Sequence, residues 1–301
     1  MELTWLWIPA TLIAAAAQTA RNAVQRSLTG AIGTVGATQV RFLYGLPFAI
    51  LFLVIVLAMT GDRLPAPGPG FISFAAMGAL TQIGATALML AAMRMRAFSV
   101  VTAYVKTEPV QVAVFGLIFL GDPITVALVA AIAIGTGGVM TMSHQPGNFT
   151  RGGLQPIALG LAAGALFGLS AIGFRGAVLA LDDGGFLLRA TTTLVWGLAL
   201  QSLVLALYLA VADRGGFRAS LRLWRRSASA GFLGAFASQF WFIAFALTSA
   251  ANVRTLALVE VIMAQIVSRR IFAQDATRKE LGGMAAIVLA VIILLIGTGT
   301  G

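Results

Sequence analysis

The sequence predicts an all-α polytopic membrane protein, with ten transmembrane helices arranged as two inverted five-helix repeats. Three observations carry this prediction. The 301 residues are 59% hydrophobic and 10% charged, with a mean hydropathy of +0.95, whereas soluble domains carry about 25% charged residues. Apolar runs of about 20 residues, each enough to cross about 30 Å of hydrocarbon, follow one another along the chain. The two halves of the chain also repeat one another.

The runs lie at 5–27, 35–59, 70–93, 98–120, 123–142, 154–180, 185–211, 227–248, 252–272 and 280–299, joined by short connections. The first follows Met-Glu-Leu-Thr-Trp-Leu-Trp, which lacks the basic start and small-residue cleavage site of a signal peptide, so it reads as a retained helix. Gly and Pro punctuation separates later runs at Gly61 to Gly70, Gly121-Asp122-Pro123, Gln145-Pro146-Gly147-Asn148 and Asp182-Asp183-Gly184-Gly185. No inserted domain interrupts the series.

Basic residues fix an orientation. One set of loops holds Arg94, Arg96, Arg151, Arg214, Arg218, Arg222, Arg225, Arg226, Arg269, Arg270, Arg278 and Lys279, with Arg26 at a helix end on the same side. The opposite set has Arg63 and Arg254 and collects Glu2, Asp62, Asp122, Asp182 and Asp183. The basic side is expected to be cytoplasmic, leaving both termini outside. The net charge of +10 thus reads as a topology signal with anionic lipid headgroups as partner, and not as a nucleic-acid surface. Arg214 to Arg226 alternates basic residues with Phe217, Leu221, Leu223 and Trp224, the pattern of a short amphipathic segment on that surface.

There are no cysteines, and the one histidine, His144, falls in a loop. No thiolate or histidine metal site, histidine relay or cofactor is therefore expected. The adjacent acids Asp182 and Asp183 sit in a four-residue turn and read as a solvated loop, which argues against an enzyme. No Gly-x-x-x-x-Gly-Lys-Ser/Thr loop is present, which argues against direct use of ATP. No repeated ring of like residues marks a channel filter.

A shift of 153 residues aligns Val100, Thr102, Phe119, Asp122, Ala133 and Ile134 with Val253, Thr255, Phe272, Asp275, Ala286 and Ile287. Shifts of 148–149 place Arg26 over Arg175 and Arg41 over Arg189. The repeats are about 1–144 and 151–301. Five helices is an odd number, so the second copy enters the membrane inverted, as in many secondary transporters.

Two five-helix halves, with Glu108-Pro109-Val110 and then Phe119-Leu120-Gly121-Asp122-Pro123 closing the fourth run, resemble the EamA-type repeats of the drug/metabolite transporter superfamily. The second half carries the looser Glu260 and Phe272-Ala273-Gln274-Asp275. Within the superfamily the chain is most similar to the YddG-type exporters of aromatic and other amino acids. That resemblance implies a bacterial inner membrane and outward movement of amino acids.

The fourth run places Lys106 and Glu108 at bilayer depth, where a charge costs roughly 2.5–3.5 kcal/mol unless it faces protein or water. Tyr104, Glu108, Gln111 and Phe115 share one helical face. Lys106 lies about 200° from Tyr104, so Lys106 and Glu108 cannot pair with each other and each needs a partner elsewhere. Pro109 removes a backbone donor one turn downstream of a carbonyl, which predicts a kink. Glu260 stands at comparable depth between Leu256 and Ala264, apolar neighbours expected to desolvate it. An ion pair competes with substrate contact for each of these groups, with Lys106 or Arg254 as the partner of Glu260.

The eighth run aligns Gly234, Ser238, Trp241, Phe245 and Ser249, and the third aligns Gly78, Gln82, Thr86, Met89 and Met93. Both faces suit a pocket for an aromatic or apolar side chain with a polar head, against which ordinary helix packing competes and is preferred for the methionines. The expected substrate contacts are Gln82, Thr86, Tyr104, Glu108, Gln111, Ser238, Trp241, Phe245 and Glu260, on four helices enclosing a central cavity. Gln18, Arg21, Asn22 and Gln25 form a polar stripe on the first run, read as hydrogen-bonding glue between helices or as vestibule lining. Arg41, Arg175 and Arg189 near helix ends are expected to snorkel to headgroups. The function expected is that of a monomeric secondary transporter exporting amino acids by alternating access, with export of organic cations or other small metabolites as the alternative.

Overall fold

The computed structural model describes residues 3–95, 101, 104–143, 154–222, 224–263, 266 and 277–299. Every regular element among them is helical. After a 3-10 turn at Leu3–Leu6 come α1 (Trp7–Leu43), α2 (Leu46–Thr60), α3 (Pro69–Met95), α4 (Glu108–Leu120), α5 (Val126–Ser143) and α6 (Gln155–Leu179). They are followed by α7 (Phe186–Ala212), α8 (Arg214–Arg222), α9 (Trp224–Leu247), α10 (Ala250–Leu256) and α11 (Arg278–Gly299). Val100, Thr102, His144, Arg96, Arg151, Leu223, Ala264, Arg269, Arg270, Phe272 to Asp275 lie outside the described residues, as do the side chains of Asn22, Gln25, Arg26, Arg94, Leu221, Arg225 and Arg226.

Seven stretches among the described residues are long and apolar enough to cross a membrane: Leu3–Arg21, Thr38–Thr60, Pro69–Met93, Gln155–Leu179, Phe186–Ala212, Ser227–Leu247 and Arg278–Thr298. Glu108–Leu120 and Val126–Met142 are apolar but shorter. Polarity is inverted relative to a soluble protein. Ile50, Leu51, Val54, Ile55 and Met59 of α2 and Leu203, Leu207, Tyr208 and Val211 of α7 are exposed, while Thr191, Thr192, Thr193, Gln201 and Ser202 of α7 are buried. Exposed apolar faces of this extent suit contact with lipid. The buried threonines stay helical because Thr191 and Thr193 donate to the carbonyls of Leu187 and Arg189 at 2.7 and 2.9 Å.

The connection expected over 28–34 is not a loop. α1 is helical over its 37 residues, yet its two arms lie back to back, so the chain bends sharply between them. A straight helix would separate residues twenty positions apart by about 30 Å. A Cβ on Gly234 of α9 would nevertheless stand 3.1 Å from Arg41 Cγ and 3.6 Å from Arg21 Cδ, so both arms of α1 reach one point on α9. The break comes later, at Tyr44-Gly45, just before Pro47 in the first turn of α2, because proline has no N–H to continue the ladder. Elsewhere the turn chemistry acts as read: Gly61 and Gly121 close α2 and α4 with φ of 69° and 67°, a conformation that glycine adopts without strain.

The chain divides into two compact units, and each draws on both halves of the sequence. The first comprises residues 1–83 and 173–248, the second residues 84–172 and 249–301. In the first, α1 and α2 meet α9 at small residues: a Cβ on Gly231 would lie 2.5 Å from the Tyr44 backbone. Phe232 of α9 packs edge-on to Phe48 and Phe52 of α2 at 5.3 and 6.4 Å between ring centres. α3 and α6 cross where a Cβ on Gly173 would lie 2.5 Å from Gly78 N, a backbone approach only glycine permits.

In the second unit, α5 and α11 close on each other in the same way. Gly138 and Gly283 face one another, a Cβ on either coming within 2.7 Å of the other's carbonyl. A capping box starts α11: Thr277 N–H donates to Glu280 Oε2 at 2.9 Å, and Glu280 N–H donates to Thr277 Oγ1 at 3.3 Å.

The arginines expected to snorkel are held inside the first unit. Arg175 donates to the carbonyls of Phe245, at 2.7 Å, and Thr248, which places a cation on the C-terminal end of α9. Arg41 is buried and lies 4.8 Å from the Phe42 ring centre, and Arg189 donates to the Leu181 carbonyl at 3.5 Å. Backbone carbonyls thus receive Arg175 and Arg189, and Gly234 leaves room for the Arg41 side chain.

Candidate functional site

Pro109 determines the geometry around Lys106 and Glu108. It has no N–H for the carbonyl of Val105, and the fourth predicted helix is interrupted at Lys106-Thr107, ahead of α4. The chain tightens there: Thr107 N–H donates to Tyr104 O at 3.2 Å, and Val110 N–H donates to Thr107 O at 3.1 Å. The ninth predicted helix is interrupted at Ala257-Leu258, after α10. Leu258 N–H donates to Thr255 O at 3.2 Å, and Val261 N–H donates to Leu258 O at 3.1 Å, the same pattern as at 104–110. No Pro or Gly marks this second break. Leu258 is buried with Val139 and Ile287, and a Cβ on Gly135 would be 2.6 Å from its Cδ1, so packing holds the turn.

Two ion pairs cross between the interrupted helices, both inside the second unit. Lys106 Nζ lies 3.0 Å from Glu260 Oε2, and Arg254 Nε lies 3.1 Å from Glu108 Oε1. Each cation meets the carboxylate of the other helix. The four side chains are 9–17% exposed, so these charges are largely withdrawn from solvent and each lies beside an opposite one. The sequence required partners for Lys106 and Glu108 off their own helix, and α10 with the residues after it supplies them. Arg254 was missed as a site residue: it reads as a loop charge, although it lies two positions inside the predicted ninth helix.

The face carrying Tyr104, Gln111 and Phe115 meets α6. Gly160, Gly164 and Gly168 recur every fourth residue along α6 and seat these side chains in turn. A Cβ on Gly160 would lie 2.7 Å from Tyr104 Cβ, one on Gly164 3.1 Å from Gln111 Oε1, and one on Gly168 3.4 Å from the Phe115 ring. Gln111 Nε2 donates to Leu161 O at 3.4 Å. The spacing of the three glycines was the available sequence signal for this contact. Thr86 is buried in the same unit. Met89 and Met93 pack on a core of Ala92, Val101, Val105 and Ala163, the packing role preferred for them.

The remaining predicted contacts fall in the first unit. Trp241 is buried and its Nε1 donates to Gln18 Oε1 at 3.2 Å. Gln201 Nε2 donates to Gln82 Oε1 at 2.7 Å, and Gln239 Nε2 donates to Thr191 Oγ1 at 2.8 Å. Phe245 is buried, with its ring stacked 6.3 Å from Phe242, which lies 4.7 Å from Phe174. Ser238 is buried on the same helix. Gln18 thus acts as interhelical glue, and its bond brings it into the surroundings of Trp241. Gln201 was not anticipated and could be found only through its partner Gln82.

Apolar outer faces, buried polar side chains and helices interrupted beside charges define a multi-pass membrane protein. Residues 5–144 match the EamA-like transporter family, a likeness that covers the first half of the chain. A solved structure titled only "Crystal structure of protein" matches with a TM-score of 0.71 at 15% identity, over 97% of this chain and 98% of that one. At that identity the likeness is one of fold. No curated protein matches the sequence.

Proposed function

We propose that the protein is a secondary transporter that exports neutral amino acids, aromatic ones among them, by alternating access. The crossed ion pairs at the two interrupted helices are the observation that carries this reading. Interrupted helices are where transporters expose backbone and charge to substrate. Glu108 and Glu260 are each neutralised by a cation, so a substrate bearing both signs can exchange with the pairs without leaving a net charge. A zwitterionic amino acid does this: its ammonium takes the place of Lys106 or Arg254, and its carboxylate that of Glu260 or Glu108. A bare organic cation would free a buried cation with nothing to balance it, at a cost of several kcal/mol. The two repeats, residues 1–144 and 151–301, would then move as inverted counterparts.

The setting proposed is a bacterial inner membrane, with both termini periplasmic, anionic lipids against the basic loops and the monomer as the working form. Proteoliposomes loaded with radiolabelled phenylalanine should release it only when the protein is present, and external unlabelled amino acids should accelerate release by exchange. Competition by an aromatic cation but not by amino acids would replace this reading with cation efflux. Glu108→Gln and Glu260→Gln should each reduce flux about tenfold or more, as expected for about 1.4 kcal/mol of lost stabilisation. Full flux in folded forms of both would make the pairs purely structural.

A further inference from the structure

α8 reads Arg-Gly-Gly-Phe-Arg-Ala-Ser-Leu-Arg and joins the spans Phe186–Ala212 and Ser227–Leu247, so it sits at the membrane face where both end. It packs against α1, α7 and α9 inside the first unit. Taken alone it is a poor helix. Nine residues are too few for a stable isolated helix in water, and Gly215 and Gly216 weaken it further. Its three arginines recur every fourth residue, on neighbouring turns of one face, where like charges repel. All three are exposed, while Phe217 is half-buried. Arg214 turns back, its Nε donating to the Ala210 carbonyl at 3.0 Å, and so places its cation on the C-terminal end of α7. Arg218 and Arg222 are used differently. Among the described residues no carboxylate pairs with them, and the sequence holds no acidic residue between Asp213 and Glu260.

We propose that Arg218 and Arg222 form a docking site for the headgroup of an anionic phospholipid, held in preference to a zwitterionic one. The guanidinium fork matches phosphate oxygens in pairs, and a phosphate set between two arginines one turn apart turns their repulsion into attraction. The flanking residues identify an amphiphile and not a soluble anion. Val211, just before α8, is 85% exposed, and Trp224, just after it, is 54% exposed. Both suit acyl-chain and interfacial contact, which a free phosphate leaves bare. A topology signal needs only the number of basic residues near a membrane face, with no helix and no spacing. Here the spacing sets two cations on one exposed face, about 6 Å apart along the axis. An occupant there braces the end of the first unit, where α8 rests on α1, α7 and α9. The site rests on the lipid contact proposed for the basic loops and not on the transport of any solute.

Tryptophan quenching in the full-length protein tests the site. The protein is placed in phosphatidylcholine nanodiscs with a rising fraction of phosphatidylglycerol brominated on its acyl chains. The Trp224 signal is the difference between the parent and Trp224→Phe. Its quenching should saturate while phosphatidylglycerol is still a minor component, whereas brominated phosphatidylcholine should quench only in proportion to its abundance. Arg218→Gln and Arg222→Gln should each raise the phosphatidylglycerol fraction needed for half-quenching about fivefold. Arg218→Lys with Arg222→Lys should keep most of the preference. Raising salt from about 50 mM to about 500 mM should weaken it in the parent, a test of charge that needs no substitution. Quenching in proportion to abundance in the parent would overturn the site and leave the arginines as topology signals. An unchanged preference in the folded Arg218→Gln, Arg222→Gln variant would overturn it as well. Displacement of the brominated lipid by millimolar glycerol phosphate would make it a soluble-anion site instead. Flux enters none of these measurements, so failure here leaves the transporter reading standing.

Discussion

Lys106 and Glu260 illustrate how a charge survives when withdrawn from solvent: an opposite charge lies 3.0 Å away. Removing one member of a buried pair strands the other and costs about 3–5 kcal/mol, whereas replacing both with apolar residues of similar size is often neutral. Lys106→Ala and Glu260→Ala are therefore each expected to lower thermal stability in detergent sharply. The double change Lys106→Met with Glu260→Met should recover most of the loss, and absence of recovery would mean that the two residues act independently. Trp241→Phe removes one hydrogen bond to Gln18 and should cost about 1 kcal/mol in the same measurement. At this scale the sequence was informative about need and only partly about supply: it offered Lys106 or Arg254 for Glu260, and Lys106 is the partner found, but it named no cation for Glu108. Helical geometry showed that Lys106 and Glu108 could not satisfy each other, but which cation Glu108 meets depends on a helix about 150 residues away. Arg254 carries no local mark that distinguishes it from a topology charge.

Elements were legible where covalent chemistry decides them. Pro109, Gly61 and Gly121 act through a missing donor or an allowed φ, and the chain breaks or turns at each. The interruption at Ala257-Leu258 has no such residue and follows from Leu258 seating against Gly135. The first two apolar runs do form separate spans, Leu3–Arg21 and Thr38–Thr60, although the residues between them are helical and hold no proline to mark the reversal. The glycine series of α6 was readable but outshone by the charges. Its contacts are close enough that Gly160→Leu should drive Tyr104 aside. A loss of about 1–3 kcal/mol is expected, seen as a lower melting temperature and a broader size-exclusion profile.

At the scale of the molecule, hydropathy was sufficient for class, because exposed Leu and Ile with buried Thr and Gln is an inversion that only lipid contact rewards. The sequence repeat does not predict the compact units, since each unit takes helices from both halves. Orientation belongs to the whole chain as well. A reporter active only in the periplasm, fused after Gly301, should be active if the basic loops are cytoplasmic. A stable but inactive fusion would reverse the topology.

The crossed pairs also place a demand on biogenesis. Lys106 and Glu260 are separated by 154 positions, so at 5–20 residues per second the ribosome takes about 10–30 s to deliver the second after the first. Throughout that interval the fourth segment holds two charges whose partners do not yet exist, and it must keep them beside water or the insertion machinery. Neither compact unit can close from residues 1–144 alone, since both require segments from beyond residue 150. Residues 1–150 expressed alone should therefore be degraded, and co-expression of 151–301 as a separate chain should rescue them. The interleaving that gives each charge its partner also makes assembly wait for the last third of the chain.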